Sequence, residues 1–331
     1  MCEIRGVGGV SVGDARPLVS VIVPNWNGAR LLPRCLDALL QQTYAPLEII
    51  VVDGASSDDS AALVRTRYPT VRLLQLDVNR GFAGNVNAGL RAARGEILAL
   101  INNDAAAAPD WVAELVQGFG DDARVGICAS KILFSEPGDV INAVGDLFYD
   151  DGTPNSRGVW ERDRGQFDRP EYVFGASGGA VAYRRRMLDD VGLFDESLFM
   201  YCEDVDLSFR AQLRGYRCRY VPTARVLHHG SATGGGPLAS YYCGRNFILV
   251  LVHNMPGGLL RRHAWRIVRA QLRLALLALR HAREPAARAR LRGQLAGLLA
   301  LPAALRRRRA IQATRVVPDS YVASLLTPAR R

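Results

Sequence analysis

The chain has 331 residues, 49% of them hydrophobic, so a folded, globular protein of one large or two small domains around a sizeable core is expected. Its net charge of +10 is concentrated: from Pro256 to the end 17 Arg face two acidic residues, a net of +15, which leaves about −5 on residues 1–255. Six scattered cysteines with no C-x-x-C pair and no secretory leader ahead of them exclude a disulfide scaffold and point to reduced thiols in a cytosolic protein, and no apolar run of about 18 residues exists to span a bilayer.

After a flexible N-terminus over residues 1–17, Leu18 to Pro24, Leu47 to Asp53, Val71 to Asp77 and Ile97 to Ile101 are short, β-branched-rich runs that read as buried strands. Between them Ala29 to Leu40, Asp58 to Tyr68 and Ala83 to Ala93 carry apolar residues at helical spacing. This alternation predicts right-handed βαβ units and an α/β fold with a parallel sheet covered on both faces. Ligands bind at the carboxyl ends of such strands. Here those ends carry Pro24-Asn25-Trp26-Asn27, Asp53, Asp77 and Asn102-Asn103-Asp104.

Beyond Ala129 the pattern becomes irregular between Ser135 and Pro170, then offers a strand over Tyr172 to Tyr183, a helix over Val205 to Leu213 and a strand over Cys218 to Leu227. A mixed second half that completes the site is expected. From Tyr241 the reading is helical, broken at Pro256-Gly257, Pro285 and Pro302. The best boundary falls near residue 256, dividing a catalytic unit over 18–255 (halves 18–129 and 130–255) from an arginine-rich helical tail over 256–331.

Several residues could carry chemistry, each beside a plainer structural reading. Asp53 ends a strand before Gly54-Ala55-Ser56-Ser57-Asp58; it could accept the imide N–H of a uracil or thymine ring, or the turn could simply cap the next helix. Asn79-Arg80-Gly81-Phe82-Ala83-Gly84-Asn85 puts glycines and amides at a helix start, suited either to a phosphate or to a structural turn. Asp104 could hold Mg²⁺ or Mn²⁺ against a diphosphate, or cap a loop. Glu203-Asp204-Val205-Asp206 follows the aromatic Phe194 to Tyr201 stretch, where desolvation would suit one acid to act as general base; an acidic first helical turn is the alternative. Of His228-His229 at a strand end, at most one side chain faces the site.

Taken as an ordered set, Val19 to Gly28, Val51-Val52-Asp53, Asn79 to Asn87, Asn102-Asn103-Asp104, Gly178-Gly179, and Gly192 through Leu207 with its Glu203-Asp204 resemble the family-2 glycosyltransferases of the GT-A fold, especially rhamnosyltransferase-like members. The resemblance spans about residues 18–255. It implies donor binding by Pro24, Asn25, Asn27, Asp53, Gly84, Asn85, Asn102 and Asn103, a divalent metal (Mn²⁺ or Mg²⁺) on Asp104 and His228 with His229 as the fallback, an acceptor side at Gly178 and Gly179, and Asp204 as base beside Glu203. Two positions depart from the family pattern: Asn102 stands where a stricter D-x-D has its first Asp, and Gly54 replaces a common asparagine.

The partners so implied are a nucleoside-diphosphate sugar, dTDP- or UDP-linked with rhamnose as the best guess, and a glycan or lipid-linked acceptor. The tail, where Arg262, Trp265, Arg266, Arg269, Arg273 and Arg280 alternate with Ile267, Val268, Leu272, Leu274, Leu276 and Leu277, has the pattern of a helix lying on an anionic membrane, or of a solvated basic helix packed on the catalytic unit. Peripheral association with the inner face of the cell membrane is the resulting expectation, and homodimerisation stays open. A nucleotidyltransferase is disfavoured because no Gly-rich, basic triphosphate loop lies near the first strand. Nucleic-acid binding is disfavoured because no known module is present and the tail has few aromatics.

Overall fold

The computed structural model describes residues 16–230 and 235–329. Of the flexible N-terminus expected over 1–17, residues 1–15 lie outside the described residues. The first half alternates as the periodicity predicts: β1 (Val19–Asn25), α1 (Leu32–Leu40), β2 (Leu47–Asp53), α2 (Ser60–Arg67), β3 (Arg72–Gln75), α3 (Gly81–Ala92) and β4 (Ile97–Ile101). β1 runs parallel between β2 and β4, and β3 extends the sheet beyond β2. Residues on the two pleat faces feed separate cores: Val21, Val23 and Val51 meet Leu32, Leu36 and Leu39 of α1, while Ile22, Ile50 and Val52 meet Val86 and Leu90 of α3. A Cβ on Gly89 would lie 2.5 Å from an Ile22 methyl, so its bare face lets α3 seat on the sheet. One expectation is corrected: β3 is a four-residue, half-exposed edge strand, not a buried run over Val71 to Asp77, because the sheet ends there and only one neighbour covers it.

The second half adds β5 (Ala105–Ala107), α4 (Trp111–Phe119), β6 (Val125–Phe134), β7 (Ile141–Ala143), β8 (Asp146–Phe148), β9 (Pro154–Ser156), β10 (Glu171–Val173), β11 (Ala180–Arg184), α5 (Arg185–Val191), a 3-10 turn (Glu196–Leu198), α6 (Glu203–Leu213) and β12 (Arg217–His228). The sheet order is β10-β12-β6-β11-β4-β1-β2-β3. β11 is antiparallel to both β4 and β6, which makes the sheet mixed. The single strand expected over Tyr172 to Tyr183 is two strands: β10 pairs with β12 and β11 with β4, so the chain must cross the sheet between them. Residues 174–179 make that crossing. Gly175 approaches α6 so closely that a Cβ would fall 2.6 Å from Ser208.

Among the described residues five helices follow: α7 (Gly236–Asn254), α8 (Gly257–Arg280), α9 (Pro285–Leu299), α10 (Leu301–Ala313) and α11 (Asp319–Leu325). Pro285 and Pro302 sit in the first turns of α9 and α10, where a missing N–H breaks no helical bond. These helices share a third core with the sheet region, in which Leu259, Ala304 and Val322 join Phe148, Phe174 and Phe209. Hydrogen bonds tie the end of the chain back: Thr327 N–H donates to the Phe148 carbonyl (2.9 Å) and Tyr321 Oη to Gln212 Oε1 (2.7 Å). Among the described residues no helix is long and apolar enough to cross a membrane.

Candidate active site

The carboxyl ends of β1 and β4, the crossing at 174–179, the entrance to α6 and the end of β12 surround one cavity of about 1230 Å³. Its first wall is built of amides. Asn25 Nδ2 donates to Asp53 Oδ1 (2.9 Å), and Asn25 Oδ1 accepts from Asn103 Nδ2 (2.7 Å). Gly28 is required beside them, since a Cβ there would come within 2.3 Å of both amides. Pro24, Asn25, Asn85, Asn102 and Asn103 line the cavity. Asp53 stands behind Asn25, 1% exposed, and also accepts from Ser56 Oγ (2.6 Å) and Ser56 N–H (3.2 Å). Those three bonds leave one of a carboxylate's four lone-pair sites.

The other proposed donor contacts divide. Asn27 is exposed and bonds to Ser57, and Gly84 is buried beneath Arg80, so neither lines the cavity. Asn85 lines it, yet its amide serves the loop: its Oδ1 accepts from Arg80 N–H (3.2 Å) and its Nδ2 donates to Asn79 Oδ1 (3.2 Å). The departure at Gly54 has a local reason, because a Cβ there would lie 2.3 Å from Asn85 Nδ2. Asp77 is exposed and outside the cavity wall.

At the far end of β4, Asp104 Oδ1 lies 3.0 Å from His228 Nε2. His228 Nδ1 sits 3.2 Å from Asn142 Oδ1, which fixes the Nδ1–H tautomer and turns the Nε2 lone pair towards Asp104. Two acceptors this close repel unless a proton or a cation lies with them. An oxygen and an imidazole nitrogen suit Mn²⁺ or Mg²⁺. No group of three or more His, Cys, Asp or Glu side chains among the described residues is placed to hold an ion, so further ligands would come from substrate oxygens and water. Asn102 Nδ2 lies 3.2 Å from the same Nε2, giving the residue that breaks the D-x-D pattern a contact of its own. His229 is exposed, and its backbone N–H donates to the Asp104 carbonyl (3.0 Å).

Opposite stands an acidic wall. Glu203 and Asp204 open α6 after a strained approach in which Phe199, Tyr201 and Cys202 all have positive φ (64°, 64° and 67°). Buried Asn246 of α7 holds that approach, its Nδ2 within 3.0 Å of the Leu198, Met200 and Tyr201 carbonyls. Burial raises the Asp204 carboxyl above its ordinary value, opposed by the N–H groups of Gly178 and Val205, each 2.8 Å from a carboxylate oxygen. Burial, then the Asp204 charge, pushes Glu203 well up. Asp146, in β8 on the same cavity wall, is pushed well up for the same two reasons, and its Oδ2 has no hydrogen-bond partner. Asp206 differs: burial alone would raise it, but Arg210 at 2.8 Å, with Asn254 and His253, holds it low. Arg210 in turn binds the Val191 and Leu193 carbonyls, so this pair fastens α6 to the preceding loop and is spent on structure.

Gly178 and Gly179 separate the two walls. A Cβ on Gly178 would lie 3.3 Å from the Phe82 ring and 3.6 Å from Asp204 Cβ, and one on Gly179 would lie 3.7 Å from Asn102 Nδ2 and 3.8 Å from His228 Cε1. The base candidate and the metal candidates are thus one dipeptide apart. Sequence reasoning missed Asn142, Asp146 and Asn246. The only signal for the first two is a polar residue at two positions within the short, mostly apolar Ile141 to Phe148 run, and for Asn246 an amide just before the apolar Phe247 to Val252 stretch of its helix.

Comparison with known proteins gives the family and the fold. The sequence model of glycosyl transferase family 2 matches residues 20–192. The chain belongs to glycosyl transferase family 2. An N-acetylglucosaminyl-diphospho-decaprenol L-rhamnosyltransferase of Mycobacterium tuberculosis is 30% identical over 256 residues, covering 69% of this chain and 80% of the relative. An uncharacterized protein of the same organism is 31% identical over 239 residues, 68% of this chain and 71% of its own. Among solved structures, a mannosyltransferase from Pyrobaculum calidifontis in complex with GDP-Man and Mn²⁺ superposes with a TM-score of 0.53 at 22% identity, covering 94% of this chain and 79% of that one. The fold of this glycosyltransferase is therefore GT-A, with a mixed, mostly parallel sheet flanked by helices and a helical C-terminal region.

Proposed function

We propose that the protein is an inverting glycosyltransferase that moves a sugar from a nucleoside-diphosphate donor to a hydroxyl of a glycan or lipid-linked acceptor. The observation that carries this reading is the Gly178-Gly179 step, which keeps Asp204 on one side and Asp104 with His228 on the other. Asp204 takes the proton from the acceptor hydroxyl as that oxygen bonds to the anomeric carbon, and the bond from that carbon to the diphosphate oxygen breaks. Asp104 and His228 would hold a divalent cation. Such an ion offsets the charge gathering on the departing diphosphate.

Asn25, Asn102 and Asn103 present amides to the donor, and Asp53 keeps one lone-pair site for an imide N–H, which favours dTDP or UDP. The L-rhamnosyltransferase relative supports rhamnose, here carried on dTDP, and a lipid-linked acceptor, and a relative named for succinoglycan biosynthesis supports a place in cell-wall or polysaccharide synthesis. A lipid-linked acceptor in turn favours peripheral work at the cytoplasmic face of a membrane.

The test is thermal unfolding with UDP, dTDP, GDP and CDP, each with and without Mn²⁺, because a ligand of the folded state raises its apparent stability. Metal-dependent stabilisation by dTDP or UDP is expected. No shift with any of them would overturn the reading.

A further inference from the structure

Helix α8 is the longest helix among the described residues, and no acidic residue occurs in its 24 positions. Its inner face is occupied. Leu259 and Ala278 are buried, Ile267 packs on the third core, Gln271 accepts from Gln294 Nε2, and Arg266 pairs with Asp150. The sequence pattern placed Arg266 and Ile267 among the lipid-facing residues; the structure packs Ile267 on the protein side and ties half-exposed Arg266 to Asp150.

The outer face is a continuous apolar stripe. Trp265 (73% exposed), Val268 (49%), Leu272 (56%), Leu276 (56%) and Leu279 (57%) follow one another at steps of three or four residues, the spacing that keeps side chains on one side of a helix. Exposed Arg262, Arg269, Arg273 and Arg280 follow at steps of seven, four and seven, which sets them in a row along one flank of that stripe. The two acids elsewhere in the tail are already engaged, Glu284 with His281 and Asp319 with Arg315. Among the described residues no ion pair offsets the arginine row, and water is a poor partner for the stripe beside it.

We infer that the outer face of α8 is a docking surface for an anionic phospholipid bilayer, with Trp265, Leu272 and Leu276 entering the boundary between headgroups and acyl chains and the arginine row meeting lipid phosphates. Charge complementarity selects this partner: a second copy would set one arginine row near another, and a nucleic acid would leave the leucines uncovered. The inference rests on the proposed lipid-linked acceptor only for its purpose. α8 follows α7 across the Met255-Pro256 turn, and α7 contributes Leu238, Cys243 and Phe247 to the cavity wall, so a docked α8 holds the cavity close to a lipid-borne substrate.

Removing the tail would uncover the third core, so the test uses exposed-face substitutions in the full chain: Leu272→Ser with Leu276→Ser, and Arg269→Glu with Arg273→Glu. The wild type should sediment with vesicles of phosphatidylcholine containing about one third phosphatidylglycerol, poorly with phosphatidylcholine alone, and less as salt rises. Each double variant should bind about tenfold more weakly or worse, and wild-type Trp fluorescence should shift to the blue on vesicles unless Trp265 is replaced by Phe. Equal vesicle binding by wild type and both variants overturns the inference, as does a dimer that the serine pair dissociates, or tighter binding to DNA or RNA than to vesicles. Nucleotide-dependent thermal stabilisation, followed in the same proteins, should be unchanged by the variants. Its absence from the wild type alongside intact vesicle binding would sink the transferase reading and leave the docking surface standing.

Discussion

The two walls of the cavity are made of opposite materials. On the proposed donor side Asn25, Asn103, Asp53 and Ser56 are joined in one connected set of hydrogen bonds. On the proposed acceptor side Asp146 and Glu203 are buried beside half-buried Asp204, and both of the buried acids keep an oxygen with no partner. The amide wall is prearranged, so it can receive a sugar nucleotide without reorganising. The acidic wall holds its carboxyls out of water, and that burial is what makes Asp204 a better base than it would be in water. Stability is spent on one side of the cavity and gathered on the other.

The sharpest way to break this contrast is Asp204→Asn. It keeps the shape and, through its single amide oxygen, one of the two hydrogen bonds from Gly178 and Val205 while removing the base, so sugar transfer should fall by about 10²–10⁴-fold with donor binding largely unchanged. In the wild type, kcat should lose activity on the acid side at a pH above the ordinary carboxylate range, because burial raises Asp204. A variant retaining wild-type turnover would remove Asp204 from the mechanism.

Asn142→Leu comes next. It takes away the acceptor that fixes the His228 tautomer without touching Asp104 or His228 themselves. Loss of such a contact typically costs about 10–100-fold in metal affinity. The Mn²⁺ concentration giving half-maximal stabilisation by dTDP or UDP should rise by that factor, with metal-free nucleotide binding unaltered. An unchanged Mn²⁺ requirement would mean that the ring is held by other contacts, or that it binds no metal.

These two variants also mark how far the sequence can be read. The donor wall was legible because parallel βαβ units place their functional residues immediately after apolar strands, where Asn25, Asp53 and Asn102 to Asp104 are found. The order of those strands and of Glu203-Asp204 carried the family. What stayed hidden depends on contacts distant in sequence. Asn142 meets His228 across 86 positions, and Asn246 meets Leu198 across 48. Periodicity holds no trace of such meetings. The Tyr172 to Tyr183 run was misread because its apolar content satisfies a strand pattern, while the three glycines inside it answer to the approach of α6 and the cavity.

Asp146→Asn gives the smallest expected change. Because burial and the Asp204 charge raise the Asp146 carboxyl, the folded protein keeps a proton that the unfolded chain releases near pH 4. The stabilisation from that proton is complete below the unfolded value and is lost as pH rises through the folded one. An amide at the same position has no proton to lose. The Tm of wild type should therefore decline more steeply than that of the variant from about pH 5 to pH 8, the curves separating by about 2–4 °C if roughly 1 kcal/mol is involved. Parallel curves would mean that Asp146 is ionised throughout and that its charge is met within the fold. In that case the acidic wall would be as fully compensated as the amide wall, and the contrast between them would reduce to the single carboxylate of Asp204.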